Sequence, residues 1–500
     1  MRALLALRNW GPTLAGTVVG AAAVYDDAVA VVADGQATTF AELHERTNAL
    51  ARAFTNRGVH AGSVVGLVAR NGHPFVESCV ALSKVGADVL LLNAAAAPAQ
   101  LIEICRAEGV SALVYDDVFT EVADTLEPDT ICFPTSTLDA LVRSHTTVGP
   151  TPPERPGRTI LLTSGTTGRP KGATRGAPPV SFDTLGLLDA IPYHQGEAML
   201  VAAPLFHAWG FAHLSLALAL GSPLVLLPQF DPDAVVHELA SRKVGVLVAV
   251  PVMLRRILDC AAAQSPDLPA LRVVPLSGSA IPAGLAEAFM DHFGEVVYSL
   301  YGSTEAGSVS VANPADLRAA PGTAGHPNHG VSVRIVDAHG HPLPVGASGH
   351  IVVCSDLVFE GYTDGRSSTT FDGHVDTGDV GHLDDDGRLF VEGRSDDMIV
   401  SGGENVHPRE VEDLLATHPD VVEAAVIGVD DTDFGQRLAA YVVRRPDATL
   451  DADAVRDHVR NHLARFKVPR DVVFVDELPR NAAGKVVRRA LPDLDGGPAS

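Results

Sequence analysis

At 500 residues, 46% of them hydrophobic, the chain can bury at least one large core and has room for roughly three units of about 150 residues. Charged residues make up 20% and are spread along the chain with 46 Gly and 34 Pro, which describes a loop-rich globular protein and excludes disorder, collagen and coiled coil as the overall class. With 37 basic and 61 acidic side chains the net charge is −24, the wrong sign for neutralising a phosphate backbone, so nucleic acid is excluded as the main partner.

In chain order, Arg2 and Arg8 precede a small-residue apolar run ending in Ala21, Ala22 and Ala23, an imitation of a secretory leader that Asn9, Gly11 and Pro12 interrupt. Residues 40–54 have helix-spaced apolar positions, 64–68 read as a buried strand, and 75–85 return to helical spacing. Such alternation through the first 390 residues predicts an α/β architecture with largely parallel sheets. Residues 146–158 carry four prolines and few core formers, which predicts a surface connector. The apolar stretch 214–227 is too short to span a bilayer and contains Gly221 and Pro223, so no transmembrane segment is expected.

From residue 331 the pattern changes to short alternating strands, 331–336 and 349–353, which predicts a small β-rich subdomain running to about residue 392. The last hundred residues read as a separate α+β unit. Val411, Leu414 and Leu415 share one helical face behind Pro408, Val455, Val459 and Leu463 share another, and strands 424–429 and 439–443 lie between them. Five cysteines, Cys79, Cys105, Cys132, Cys260 and Cys354, show no zinc spacing and are expected to be buried, reduced thiols of a cytoplasmic protein. The run Asp384-Asp385-Asp386-Gly387 lacks calcium-loop spacing and reads as a solvated turn.

The strongest local signal is Thr163-Ser164-Gly165-Thr166-Thr167-Gly168-Arg169-Pro170-Lys171-Gly172, directly after the apolar strand 159–162. Hydroxyls and glycine-freed backbone N–H groups can curl around phosphate oxygens while Lys171 neutralises charge. The plain alternative is a Ser/Thr/Gly surface turn. A Walker A loop is excluded, because Pro170 precedes Lys171 and no Ser or Thr follows it.

These ten residues resemble the signature loop of the adenylate-forming superfamily, which includes acyl-CoA synthetases, nonribosomal peptide adenylation domains and beetle luciferases. Tyr301-Gly302-Ser303-Thr304-Glu305 is similar to the family's second nucleotide motif, which implies that Tyr301 stacks on adenine, Thr304 approaches the α-phosphate and Glu305 holds Mg²⁺. One carboxylate plus substrate phosphates is how Mg²⁺ is usually bound. Val375-Asp376-Thr377-Gly378-Asp379 resembles the ribose motif, with Asp379 accepting from the ribose hydroxyls and Arg394 joining it. Asp-Thr-Gly is also the aspartic-protease triplet, but that chemistry needs two carboxylates sharing a proton and this chain has a single copy.

Asp396 falls at the family's hinge position, Gly402-Gly403 resemble the loop lining the pantetheine tunnel, and Pro479-Arg480-Asn481-Ala482-Ala483-Gly484-Lys485 resembles the loop of the catalytic lysine. The family more often has Lys-Thr where Asn481 and Ala482 stand, which puts loop geometry rather than Lys485 in question. Six motifs fall in the family's order, and the flanking core patterns fit the family from about residue 20 to residue 490. The resemblance implies a large α/β N-terminal domain with mixed sheets, 1–394, including the β-rich subdomain at about 331–392, and a small mobile α+β C-terminal domain, 395–500.

Implied function is ATP-dependent activation of a carboxylic acid as acyl-AMP, with release of pyrophosphate, followed by transfer to coenzyme A. Lys485, Thr304, Glu305, His207 and Lys171 are the expected catalytic residues. Thr163 to Gly168, Lys171, Ala280, Tyr301 to Thr304, Asp379, Arg394 and Lys485 are expected to bind ATP. In amino-acid-activating members an Asp holds the substrate ammonium where Pro204-Leu205-Phe206-His207-Ala208-Trp209 has His207, so a fatty or aryl acid is expected. Trp209, Phe211, Gly278, Ser279 and Ala280 would line an apolar pocket, against the plainer reading of His207 as a satisfied core residue. Direct passage from the β-rich subdomain into the terminal domain resembles CoA-forming members. The alternatives are an amide synthetase using an amine acceptor, a luciferase-like oxygenase, and a non-catalytic nucleotide binder, which should have lost Lys485, Glu305 or Asp379. A homodimer is compatible with these motifs and required by none.

Overall fold

A computed structural model of the chain describes residues 6, 8–163, 171–175, 187–260, 268–303, 306–355, 370–401, 404–431, 435–446, 448–481 and 484–491, with only the backbone described at Thr163, 171–175, Ser303 and Asn405. Contacts divide the chain into two compact units. The first comprises Met1–Ala249, Arg256–Pro275 and Leu357–Ser368, the second Val250–Arg255, Leu276–Asp356 and Thr369–Ser500.

The first unit holds two mixed sheets. In one, Ile131–Pro134, Ala112–Tyr115, Val64–Val68, Asp88–Leu91 and Thr159–Thr163 run parallel, and Lys171–Arg175 closes the edge antiparallel to Thr159–Thr163. In the other, Val246–Val248, Met199–Val201, Leu224–Leu226 and Val29–Ala33 are parallel and Gln36–Thr39 returns antiparallel. The parallel strands are almost continuously apolar, as strands covered on both faces must be.

Helix Phe40–Asn56 starts where expected because Thr39 accepts from the Glu42 amide while the Glu42 carboxylate accepts from the Thr39 amide, a reciprocal cap contributing about 1 kcal/mol. Its Leu43, Leu50 and Phe54 are buried, Phe54 edge-on to Phe133, and the helix packs against helix His73–Val85. Between the two lies Lys84, 1% exposed, whose amine donates to Thr47 Oγ1 and Asn48 Oδ1, both at 2.7 Å, and to the His44 carbonyl at 2.9 Å. Burial holds that ammonium well below the usual lysine range. Asp88, 2% exposed, ties down the proline-rich connector by accepting from the Arg155 and Arg158 guanidiniums and from the Arg158 amide at 2.8 Å.

In the second unit, Val297–Ser303, Gly307–Ala312 and His326–Pro327 pair antiparallel. The β-rich subdomain follows, with Ser332–Val336, Gly349–Cys354, His374–Leu383 and Leu389–Arg394 joined in antiparallel ladders. In the terminal part, Val421–Asp431 and Gly435–Arg444 form a long antiparallel pair, with Asp471–Val475 parallel to the second. Helices Pro408–Ala416 and Ala452–His462 cover this sheet through the expected Val411, Leu415, Val455 and Val459, all buried; Leu463 falls just past its helix but packs on the same core.

Among the described residues no helix is long and apolar enough to cross a membrane. The segment expected as one apolar stretch, 214–227, divides between the end of helix Ala208–Ala219 and strand Leu224–Leu226. The expectation of five buried thiols holds for Cys79, Cys105 and Cys260 only. Cys132 is half-buried and Cys354, at the end of its strand, is exposed; all five are unbridged. Ile351, Val352 and Val353 are buried on both faces of Gly349–Cys354, and burial ends at Cys354, its last residue.

Candidate active site

Tyr301, Asp379, Arg394 and Lys485 all fall in the second unit, where a neutral phenol and two cations from three elements act on one carboxylate. Asp379 and Arg394 stand opposite each other on the antiparallel pair His374–Leu383 and Leu389–Arg394. Asp379 Oδ1 lies 3.4 Å from Arg394 Nη1, and that guanidinium also donates to the Thr377 carbonyl at 2.9 Å and to Asp396 at 3.1 Å. The Tyr301 hydroxyl donates to Asp379 Oδ2 at 2.6 Å. Gly378 has φ +72°, and a Cβ there would come within 2.8 Å of Arg394 Nη2, so the turn needs glycine.

Burial pushes the Asp379 carboxyl above the ordinary carboxylate range, against the opposing pull of the Tyr301 hydroxyl, Arg394 and Lys485. The same burial, with the Asp379 charge beside it, drives the Tyr301 phenol well up, so it remains a proton donor. Lys485 is exposed and its charge acts on Asp379.

Of the two departures in the lysine loop, Ala482 lies outside the described residues and Asn481 is hydrogen-bonded within the turn. Its side-chain oxygen accepts from the Lys485 amide at 3.0 Å, its own amide donates to the Lys485 carbonyl at 2.9 Å, and Gly484 N–H donates to its carbonyl at 2.8 Å. Arg480 donates to the Gly484 carbonyl at 2.6 Å and pairs with Glu423 on the neighbouring sheet. Gly484 has φ +77°, with Val252 2.9 Å from where a Cβ would sit. The lysine therefore projects from a tied turn.

In the first unit, His207 is the residue immediately before helix Ala208–Ala219, followed by Trp209 and Phe211. Burial lowers the His207 imidazole to about 4, so it is neutral near pH 7, and its buried Nε2 has no hydrogen-bond partner among the described residues. Sequence reasoning missed what holds Trp209. Its indole N–H donates to the Ala249 carbonyl at 3.0 Å, and His213, one turn on, packs edge-on to it with ring centroids 4.2 Å apart. His213 Nδ1 lies 2.9 Å from the Trp209 carbonyl and its Nε2 2.8 Å from the buried Tyr193 hydroxyl. The i, i+4 spacing of Trp209 and His213 was the available signal.

Thr163 and Lys171 stand opposite each other as Cα partners, so the expected phosphate loop connects two antiparallel strands; the second, Lys171–Arg175, was not expected. Ser164, Gly165, Thr166, Thr167, Gly168, Thr304, Glu305, Gly402 and Gly403 lie outside the described residues. Gly302 and Ser303 end the Tyr301 strand. Gly278, Ser279 and Ala280 follow strand Val274–Leu276, with Gly278 and Ala280 exposed. Among the described residues no group of three His, Cys, Asp or Glu side chains forms a metal cage.

A buried carboxylate shared by a phenol, a guanidinium and a turn-borne lysine suits a ligand that brings both hydroxyls and negative charge, as a nucleotide does. Residues 19–363 match the AMP-binding enzyme family and residues 410–485 match the AMP-binding enzyme C-terminal domain. The chain belongs to this adenylate-forming family, and its α/β N-terminal part with mixed sheets and small α+β C-terminal part are that family's architecture. It is 35% identical over 469 residues to the 2-succinylbenzoate–CoA ligase of Geobacillus kaustophilus, covering 93% of this chain and 94% of that one. Among solved structures, ATP-bound MatB from Rhodopseudomonas palustris matches with a TM-score of 0.86 at 29% identity, and amide bond synthetase McbA from Marinactinospora thermotolerans with 0.83 at 28%; each match covers 95% of this chain and 98% of the other.

Proposed function

We propose that the chain is an AMP-forming carboxylate–CoA ligase for a fatty or aryl acid lacking an α-amino group, working in the cytoplasm. The meeting of Tyr301, Asp379, Arg394 and Lys485 at one place is the observation that carries this reading. Attack of a carboxylate on the α-phosphate of ATP brings two anions together, and cations aimed at the transferring group offset that repulsion. Lys485 bridges the attacking oxygen and the phosphate, which orients as well as neutralises. Lys171 and the 163–168 loop take the remaining phosphate charge, Thr304 the α-phosphate, and Asp379 the ribose hydroxyls.

Glu305 is the residue that would hold Mg²⁺, which supplies charge neutralisation on the phosphates when bound. His207, neutral and with Nε2 unpaired among the described residues, offers the acid no fixed charge, and Trp209 and Phe211 give it apolar and aromatic surface. Five unbridged thiols support the compartment. The functional division is 1–394 and 395–500, with rotation about Asp396 removing Lys485 and bringing Gly402 and Gly403 to the acyl-adenylate. Proline at 396 fixes φ, so Asp396→Pro is expected to impair thioester formation from preformed acyl-AMP more than adenylation; equal loss of both ends the hinge assignment.

The deciding experiment is pyrophosphate release from Mg·ATP with a panel of fatty and aryl acids, run with coenzyme A, with simple amines and with neither, each product identified by mass spectrometry. Thioester formation that requires coenzyme A is the expected result. Amide formation outpacing thioester would instead make the chain an amide synthetase, the reading that the match to an amide bond synthetase keeps in view. Absence of acid-dependent release from folded, ATP-binding protein would leave a non-catalytic nucleotide binder.

A further inference from the structure

The contact between Tyr301 and Asp379 does something that neither residue's expected role contains. Strand Val297–Ser303 slips register against Gly307–Ala312 between Tyr301 and Gly302, and such an irregularity re-aims the side chain beside it. The hydroxyl so placed lies 2.6 Å from Asp379 Oδ2, the ordinary distance for an O–H donor on a carboxylate. By contrast Arg394 approaches Oδ1 only to 3.4 Å, with its guanidinium divided among Asp379, the Thr377 carbonyl and Asp396. Among the described residues the phenol is thus the closest donor on the carboxylate.

We propose that Tyr301 is a positioning residue for Asp379: its hydroxyl fixes the plane of the carboxylate and so couples recognition of the nucleotide's sugar to the aromatic ring that meets its base. The inference rests on the nucleotide-site reading given under the proposed function. Asp379 is only 14% exposed, and a buried carboxylate stays ionised and oriented only while donors hold it. The groups that face it are Tyr301 from its strand, Arg394 from the partner strand and Lys485 from the terminal turn, and Arg394 is itself shared with Asp396. Because the buried phenol keeps its proton, the donor cannot reverse its role across the working pH range. The ring cannot tilt without moving the carboxylate. A ligand that stacks on the ring therefore meets its sugar acceptor already aligned, whereas a nucleotide lacking the ribose hydroxyls gains nothing from that alignment.

The test is direct calorimetric binding, without acid or coenzyme A, of ATP and of 2′,3′-dideoxy-ATP to the wild type, Tyr301→Phe and Asp379→Asn between pH 5 and 8. Tyr301→Phe keeps the ring and removes only the donor. Its ATP affinity is expected to fall about tenfold, the scale of a charge-assisted hydrogen bond, and its preference for ATP over the dideoxy nucleotide to shrink by a similar factor. Loss of a donor to the ionised form raises the carboxyl pKa, so the acid limb of ATP affinity should move to higher pH in this variant, a shift that a merely structural ring would not produce. Wild-type affinity, preference and acid limb in Tyr301→Phe would overturn the inference while leaving the site intact. An Asp379→Asn variant that keeps the wild-type preference, or a wild type that does not bind ATP, would overturn the nucleotide-site reading and the inference with it.

Discussion

Asp88 in the first unit and Asp379 in the second are both carboxylates with little exposure, 2% and 14%, and they titrate in opposite directions. Burial would push each up. At Asp88 the hydrogen bonds from the Arg158 side chain and amide, with the charges of Arg158 and Arg155, overcome that effect and hold the group below the usual range. At Asp379 burial wins, because the phenol is neutral, Arg394 is distant and shared, and Lys485 acts only as a charge. One carboxylate is satisfied within its own fold; the other, on the proposed reading, keeps accepting capacity for the nucleotide. The degree to which native partners satisfy a buried charge thus separates an anchor from a site.

The comparison is broken most sharply at Lys485. Lys485→Ala removes the cation proposed to act in the transition state, and acid-dependent pyrophosphate release should fall by about 10²- to 10³-fold while ATP affinity changes by no more than about threefold. Near-normal release in that variant would dismiss Lys485 from the chemistry. Next in size comes a crossed pair of substitutions read by both denaturant unfolding and ATP binding. Asp88→Asn should cost about 2 kcal/mol near neutral pH, because two guanidiniums lose their anion yet remain partly solvated, and should leave ATP affinity unchanged. Since the native Asp88 carboxyl is held down, its contribution is present above the unfolded carboxylate value of about 3.9 and disappears as pH falls through the lower native value.

Asp379→Asn should behave inversely. Its raised native carboxyl makes ionisation unfavourable to folding above that value and less so as pH falls, so the amide should leave neutral-pH stability unchanged or slightly higher while ATP affinity collapses. A substantial loss of stability in Asp379→Asn would place that residue with the anchors.

Much of this was readable beforehand, and unevenly so. Helix 40–56 and strand 64–68 follow from spacing and a cap, which are local. The proposed nucleotide-site residues came from short motifs whose order along the chain carries meaning, and the structure joins Tyr301 and Arg394 to Asp379 and brings the Lys485 charge to bear on it, across 184 positions of sequence. What stayed hidden depends on partners distant in sequence. The amine of Lys84 is held by a helix some 37 residues earlier, the connector 146–158 is anchored by a carboxylate on another strand, and Trp209 is fixed by a carbonyl 40 positions away. Asn481 was legible only as a departure from a pattern, because a side chain that closes its own turn leaves no periodic trace.

The exposed thiol at the end of strand Gly349–Cys354 has a use apart from catalysis. Burial raises the Cys79 thiol well out of the reactive range, pushes Cys105 up to about 12 and raises half-buried Cys132, whereas Cys354 stands in solvent. The protein thereby carries a native address for thiol chemistry within the same sheet as Asp379, where a single dye could be attached without engineering a new cysteine.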